Sequence, residues 1–164
     1  MRRYAVSMSD APATTPSGPP SEGYADLMAR AHEARAEGKL RLALALYRKA
    51  ADLDRGAGVE TRRSVRAMRF ASEMQALTGN AEDASANARA VVRFYLLHNA
   101  DARELAAAWR TLAIAEESRK TIDGEWESRR AWINMRELSA RVGEEAAMRE
   151  ADAHLARLPE DPEP

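Results

Sequence analysis

Residues 36–50 read Ala36-Glu37-Gly38-Lys39-Leu40-Arg41-Leu42-Ala43-Leu44-Ala45-Leu46-Tyr47-Arg48-Lys49-Ala50. Alanine, leucine, arginine and lysine are strong helix formers, and Gly38 takes a left-handed backbone at no steric cost. The stretch therefore reads as the end of one helix, a tight turn and a second helix. Working outward, the first helix is expected over about 22–37 and the second over about 40–54, stopped by Gly56 and Gly58. The same signals recur at a fixed interval. Leu27, Met68 and Trp109 follow one another at equal steps of 41, as do Arg30, Ala71 and Leu112, and the same step separates Gly38 from Gly79. A period in this range on helix-compatible sequence marks a chain of helical hairpins, each of which buries its apolar face only by stacking on its neighbours.

Five further helices complete the pattern, at about 61–77, 81–97, 102–119, 125–141 and 144–157. Asn80 is placed to cap the fourth, and Asp101 with Glu104 resembles a capping box for the fifth. Asp123-Gly124 separates the fifth from the sixth, and Gly143 the sixth from the seventh. Outside this domain, 21–158, residues 1–20 hold Pro12, Pro16, Pro19 and Pro20 among Ser, Thr, Ala and Gly, a composition expected to stay disordered. Met8 is a second plausible start. Residues 159–164, Pro159-Glu160-Asp161-Pro162-Glu163-Pro164, form an acidic tail whose prolines forbid helix.

The chain has no cysteine, which removes disulfides, thiolate nucleophiles and cysteine-ligated metals. A net charge of −1 is too small for general attraction to nucleic acid or an anionic membrane. No apolar run follows Arg2-Arg3 as in a secretory leader, and none is long enough to span a bilayer, so a cytoplasmic protein without membrane insertion is expected. Arginine far outnumbers lysine and alanine is the commonest residue, a bias that goes with GC-rich genomes and gives the expectation of a bacterial source.

The stretch 36–50 resembles the turn and second helix of a tetratricopeptide repeat. In that family a glycine closes the turn, a small residue lets the helices approach, an aromatic follows four residues on and another small residue three after that. Gly38, Ala43, Tyr47 and Ala50 fill these places. Antiparallel helices approach closely only where the crossing carries little side chain, and a large ring plugs the gap beside it. The second unit keeps Gly79 and Ala84 but has Ala88 and Val91 in the next two places. In the third, Trp109, Leu112 and Ala113 fit the first helix, while Ala131, Met135 and Leu138 come into phase only after a six-residue shift, which predicts a longer turn around 121–126. The period of 41 exceeds the family's usual 34. The resemblance covers about 22–141 and implies an all-α array of antiparallel helix pairs, about seven helices in a right-handed superhelical stack, with the last helix as a polar-faced cap.

Motifs for chemistry fail on inspection. His32-Glu33 opens like a metalloprotease helix, but Ala36 stands where the second histidine belongs. His98 and His154 have no ligand partners near them in sequence. Gly56-Ala57-Gly58 follows a helix rather than a strand, which rules out a dinucleotide loop. Glu116-Glu117 and Glu144-Glu145 point about 100° apart on a helix and read as solvated faces. Trp126 and Trp132, at helical spacing with Met135 and Leu138, read as core. No catalytic residue, cofactor or metal is expected.

What the resemblance implies instead is recognition. First helices of such repeats line a concave groove, lined here by Met28, His32 and Arg35 from the first helix, Arg66, Arg69 and Glu73 from the third, and Arg110, Ile114 and Glu117 from the fifth. Chaperone-binding members grip a terminal carboxylate with a lysine and an asparagine where Met28 and His32 stand, so co-chaperone activity is not expected. Arg66 and Arg69 share a helix face, and Arg110 stands one full repeat after Arg69, which makes a basic floor for an acidic or C-terminal-carboxylate peptide. The expectation is a non-catalytic adaptor for a protein or peptide partner, acting as a monomer or homodimer. The alternatives are a self-associating scaffold, through an exposed array end or the Trp126–Trp132 helix, and a regulatory subunit of a larger complex.

Overall fold

The computed structural model of the chain describes residues 23–55 and 60–160. The expected disordered arm at 1–20, the glycines at 56 and 58, and most of the acidic tail lie outside the described residues. Seven helices and no strand occur among those described: α1 (Tyr24–Ala36), α2 (Leu40–Arg55), α3 (Arg62–Leu77), α4 (Ala81–Leu97), α5 (Ala102–Ser118), α6 (Ile122–Arg141) and α7 (Glu145–Leu155). No described helix is long and apolar enough to cross a membrane.

Each helix packs on the next, and α3 also touches α5 directly. The result is an all-α array of helix pairs, α1–α2, α3–α4 and α5–α6, closed by α7. Two apolar clusters fill it, one around Leu27, Ala43, Tyr47 and Met74 and one around Val91, Leu112, Trp132 and Met135, and Met68 packs against both.

The repeat is more regular in space than in sequence. Gly38 and Gly79 turn the chain with φ of 74° and 88°, and one repeat further on Lys120 does the same at 54°. A lysine pays a steric cost there that glycine avoids, which is why the sequence signal fades while the turn persists. All three second helices begin one period apart, at Leu40, Ala81 and Ile122. No long turn separates α5 from α6. Thr121 caps α6 by accepting the Gly124 N–H, so Asp123 and Gly124, expected as linker, form its first turn. Nor is a six-residue shift needed. The buried set Ala84, Ala88, Val91 and Tyr95 of α4 recurs as Gly124, Ser128, Ala131 and Met135, a uniform step of 40. Gly124 holds the place of Ala43 and Ala84 because the helices are closest there: a Cβ on it would lie 2.7 Å from the Glu116 carbonyl oxygen.

The caps are also redistributed. Asp101 accepts the Glu104 N–H as expected, but the Glu104 carboxylate turns to Arg62, 2.9 Å away. The reciprocal box is Thr61–Ser64 at the start of α3. Asn80 stands at the head of α4 but its side chain bonds Asp83 rather than a backbone N–H.

Wedge-shaped clefts of about 270 and 310 Å³ open between α2 and α4 and between α4 and α6. They are repeat-related: Arg48, Ala51, Asp52, Met68 and Ala71 of one become Arg89, Val92, Arg93, Trp109 and Leu112 of the other. The second helices leave these clefts between them, whereas α3 and α5 touch directly.

Candidate functional site

The repeat places Met28, Arg69 and Arg110 at one register of the first helices, and His32, Glu73 and Ile114 one turn further on. Met28 differs from expectation. It is only 7% exposed and sits in the core beside Leu27, because the inward stripe of α1 is two residues wide at that turn. Ile114 is half-buried against the second cluster and likewise presents little surface.

The centre of the face is Glu73, 2% exposed. Burying a carboxylate is costly unless charge and hydrogen bonds compensate it, and three helices supply both. Arg35 Nη2 of α1 lies 3.0 Å from its Oε2, while Arg69 Nη1 of α3 lies 3.2 Å and Arg110 Nη1 of α5 lies 3.6 Å from its Oε1. The Thr111 hydroxyl donates to the same Oε1 at 2.8 Å. Arg110 is also gripped by α7: its Nε donates to Glu150 Oε2 at 2.8 Å and its Nη2 to Oε1 at 2.6 Å, a bidentate pair. This bond holds the Glu150 carboxyl below its usual range and raises the Arg110 value. Burial lowers that of Arg69 against the opposing pull of Glu73.

The expected basic floor of Arg66, Arg69 and Arg110 is therefore not a set of three free cations. Glu73 and Glu150 occupy two of them, while Arg66 stays exposed and takes no part in the network. Arg35, Arg66, Arg69 and Arg110 against Glu73 and Glu150 still leave a surplus of two positive charges.

Beside the charges is an aromatic group. His32 meets Phe70 and Tyr47 edge-on, with ring centroids 4.9 and 5.4 Å away, and Tyr47 stacks on Phe70 at 5.2 Å. The Arg69 guanidinium lies 4.1 Å from the Phe70 centroid. Tyr47 Oη is 2.7 Å from His32 Nδ1. Burial raises the Tyr47 value, so the phenol keeps its proton, and it pairs with a neutral imidazole in either tautomer. Burial first, then Arg35, Arg66 and Arg69, lower the His32 value and favour that neutral form.

Glu117 does not join this face. Its Oε1 accepts from Trp132 Nε1 at 2.8 Å and lies 2.8 Å from His154 Nδ1, which ties α5 to α6 and α7. Its neighbour Glu116, expected as solvated, is fully buried, bonded by Ser85 at 2.6 Å, Arg89 at 2.7 Å and Arg119 at 3.0 Å. The register could have revealed this, since Glu116 stands in the same repeat position as Gln75 and Ala34 and all three are buried. Phe70, Thr111 and Glu150 were also missed. The first two share a register with Ala29, but α7 departs from it: the buried series Ala67, Ala108, Ala151 takes a final step of 43, which hides Glu150.

Fold and site together define an array of helix pairs with a charged, aromatic-edged face on its first helices. Comparison of the chain with family models, with curated proteins and with solved structures finds no match.

Proposed function

We propose that this chain is a tetratricopeptide-like, non-catalytic adaptor whose first-helix face receives a segment of a partner protein. One observation carries the reading: Glu73 gathers arginines from α1, α3 and α5, so the face is braced across all three repeats while keeping a positive surplus at the surface. Such bracing fixes long, flexible side chains before a ligand arrives and lowers the ordering cost of binding. Reaction chemistry has less support. The Glu73 carboxylate is saturated by bonds and arginines do not exchange protons near neutrality, which leaves anion recognition as the aptitude of these groups. Trp132 is fully enclosed and stacked on His154 at 4.1 Å, so self-association through the sixth helix would have to use its half-buried Trp126 and exposed Ile122 and Ile133 instead.

The experiment is photo-crosslinking in native lysate, with the crosslinker placed in turn at Arg66 on the first-helix face and at exposed Ala86 on α4. The expected result is a discrete partner band from position 66 alone. Equal capture from both positions, or from neither, removes the assignment.

A further inference from the structure

The last helix is fastened unlike the others. α3, α4 and α5 each bury seven or more residues, whereas α7 fully buries only Ala151, with Ala147 and Leu155 half-covered. Most of its other ties are polar: Glu150 to Arg110, Asp152 to Arg136, His154 to Glu117, Arg129 to the Leu155 carbonyl, and Glu144 just ahead of it to Arg103; the exceptions are the His154 ring stacked on Trp132 and Leu158 just beyond the helix, partly covered by the core. Ion pairs at a surface are individually weak and are screened by salt. The connection to α6 is the short turn 142–144, in which Gly143 has φ of 74°. The seat beneath α7 thus has a small apolar centre and a rim of Arg110, Arg136 and Glu117 that selects by charge. Arg110 belongs at once to this seat and to the first-helix face.

We propose that this seat is an exchangeable docking surface: α7 fills it in cis, and a partner's acidic amphipathic helix, carrying a carboxylate in the place of Glu150 and a small residue in the place of Ala151, fills it in trans. The occupant follows from charge complementarity and from the pose of the resident helix. Displacing α7 frees Arg110 and lengthens the face available to the partner, so the last helix regulates the site. The inference rests on the adaptor reading and adds where that reading is controlled.

The test uses the full chain and a fluorescent synthetic peptide of residues 144–158, followed by anisotropy. Wild type keeps its seat filled, so its apparent affinity is reduced by the fraction of open molecules. Glu150→Lys sets two cations against each other and opens the seat. The peptide should bind this variant about tenfold more tightly than wild type. The double variant Glu150→Lys, Arg110→Glu restores the pair with reversed sign and should return binding to the wild-type level or below. Equal binding to wild type and Glu150→Lys overturns the proposal, as does binding to the double variant as tight as to Glu150→Lys. Should Glu150→Lys fail to fold, hydrogen exchange on the unaltered chain decides: raising sodium chloride from about 50 mM to about 0.5 M should speed the amides of 145–155 severalfold and leave those of α5 unchanged. Unchanged exchange in both overturns it. These assays need no lysate, so the docking surface can fail while crosslinking from position 66 succeeds, and the converse.

Discussion

Ala43 and Gly124 do the same work in different pairs, holding open a helix crossing by having almost no side chain. Ala43 is fully buried and Ala45 on the same helix is exposed. Ala43→Leu should therefore cost about 1–3 kcal/mol through overpacking, and Ala45→Leu should melt like wild type; equal melting of the two variants removes the crossing from Ala43. Gly124 gives a sharper contrast because intrinsic propensity has the opposite sign. In an ordinary helix Gly→Ala stabilises by about 0.5–1 kcal/mol. Here the new methyl would stand 2.7 Å from the Glu116 carbonyl oxygen and 2.9 Å from Thr121 Oγ1. Gly124→Ala should instead destabilise by about 1–3 kcal/mol in chemical denaturation, and a gain in stability would show that α5 and α6 can separate at little cost. Ala43 was legible from its place after a turn glycine. Gly124 was misread as punctuation, because a glycine chosen for close approach and one chosen for a turn look alike in sequence.

At the scale of the elements, helices, turns and pairing could be read from periodicity because each depends on local chemistry. The charge networks could not. Glu73 and Glu116 look like any helical glutamate until α1, α4 and α5 bring arginines to them, and that meeting depends on how pairs stack. Their energetics follow from burial. Glu73→Gln would leave Arg35, Arg69 and Arg110 without their shared anion. Removing one partner of a fully buried pair costs about 3–5 kcal/mol, and these arginines are 35%, 14% and 30% exposed on their side chains, which lowers the expectation. We predict about 2–3 kcal/mol in urea denaturation. Arg66→Gln, outside the network, should stay within about 0.5 kcal/mol of wild type. Equal effects would mean that Glu73 does not brace the face.

Over the whole molecule, the two ends of the first-helix face respond to protons in different ranges. At the α1–α3 end, His32 has a value lowered from 6.5 by burial and by Arg35, Arg66 and Arg69. The unfolded chain then binds the proton more readily than the folded one, so stability rises with pH across that window. Acidification through 6.5 should weaken the fold until the lowered value is passed. At the α7 end, Glu150 has a value lowered from 4.5, chiefly by its hydrogen bonds from Arg110. Its contribution is complete above 4.5 and is lost as pH falls through the depressed value. The melting temperature should therefore descend in two steps between about pH 8 and about pH 3. His32→Asn should flatten the upper step alone, since no imidazole remains to take up the proton in either state. Glu150→Gln should shrink the lower step and leave the upper one unchanged, with exchange of the α7 amides already fast at neutral pH. If both variants follow the wild-type profile, neither end of the face is set by the group assigned to it, and the proton-sensitive part of the array lies elsewhere among its carboxylates.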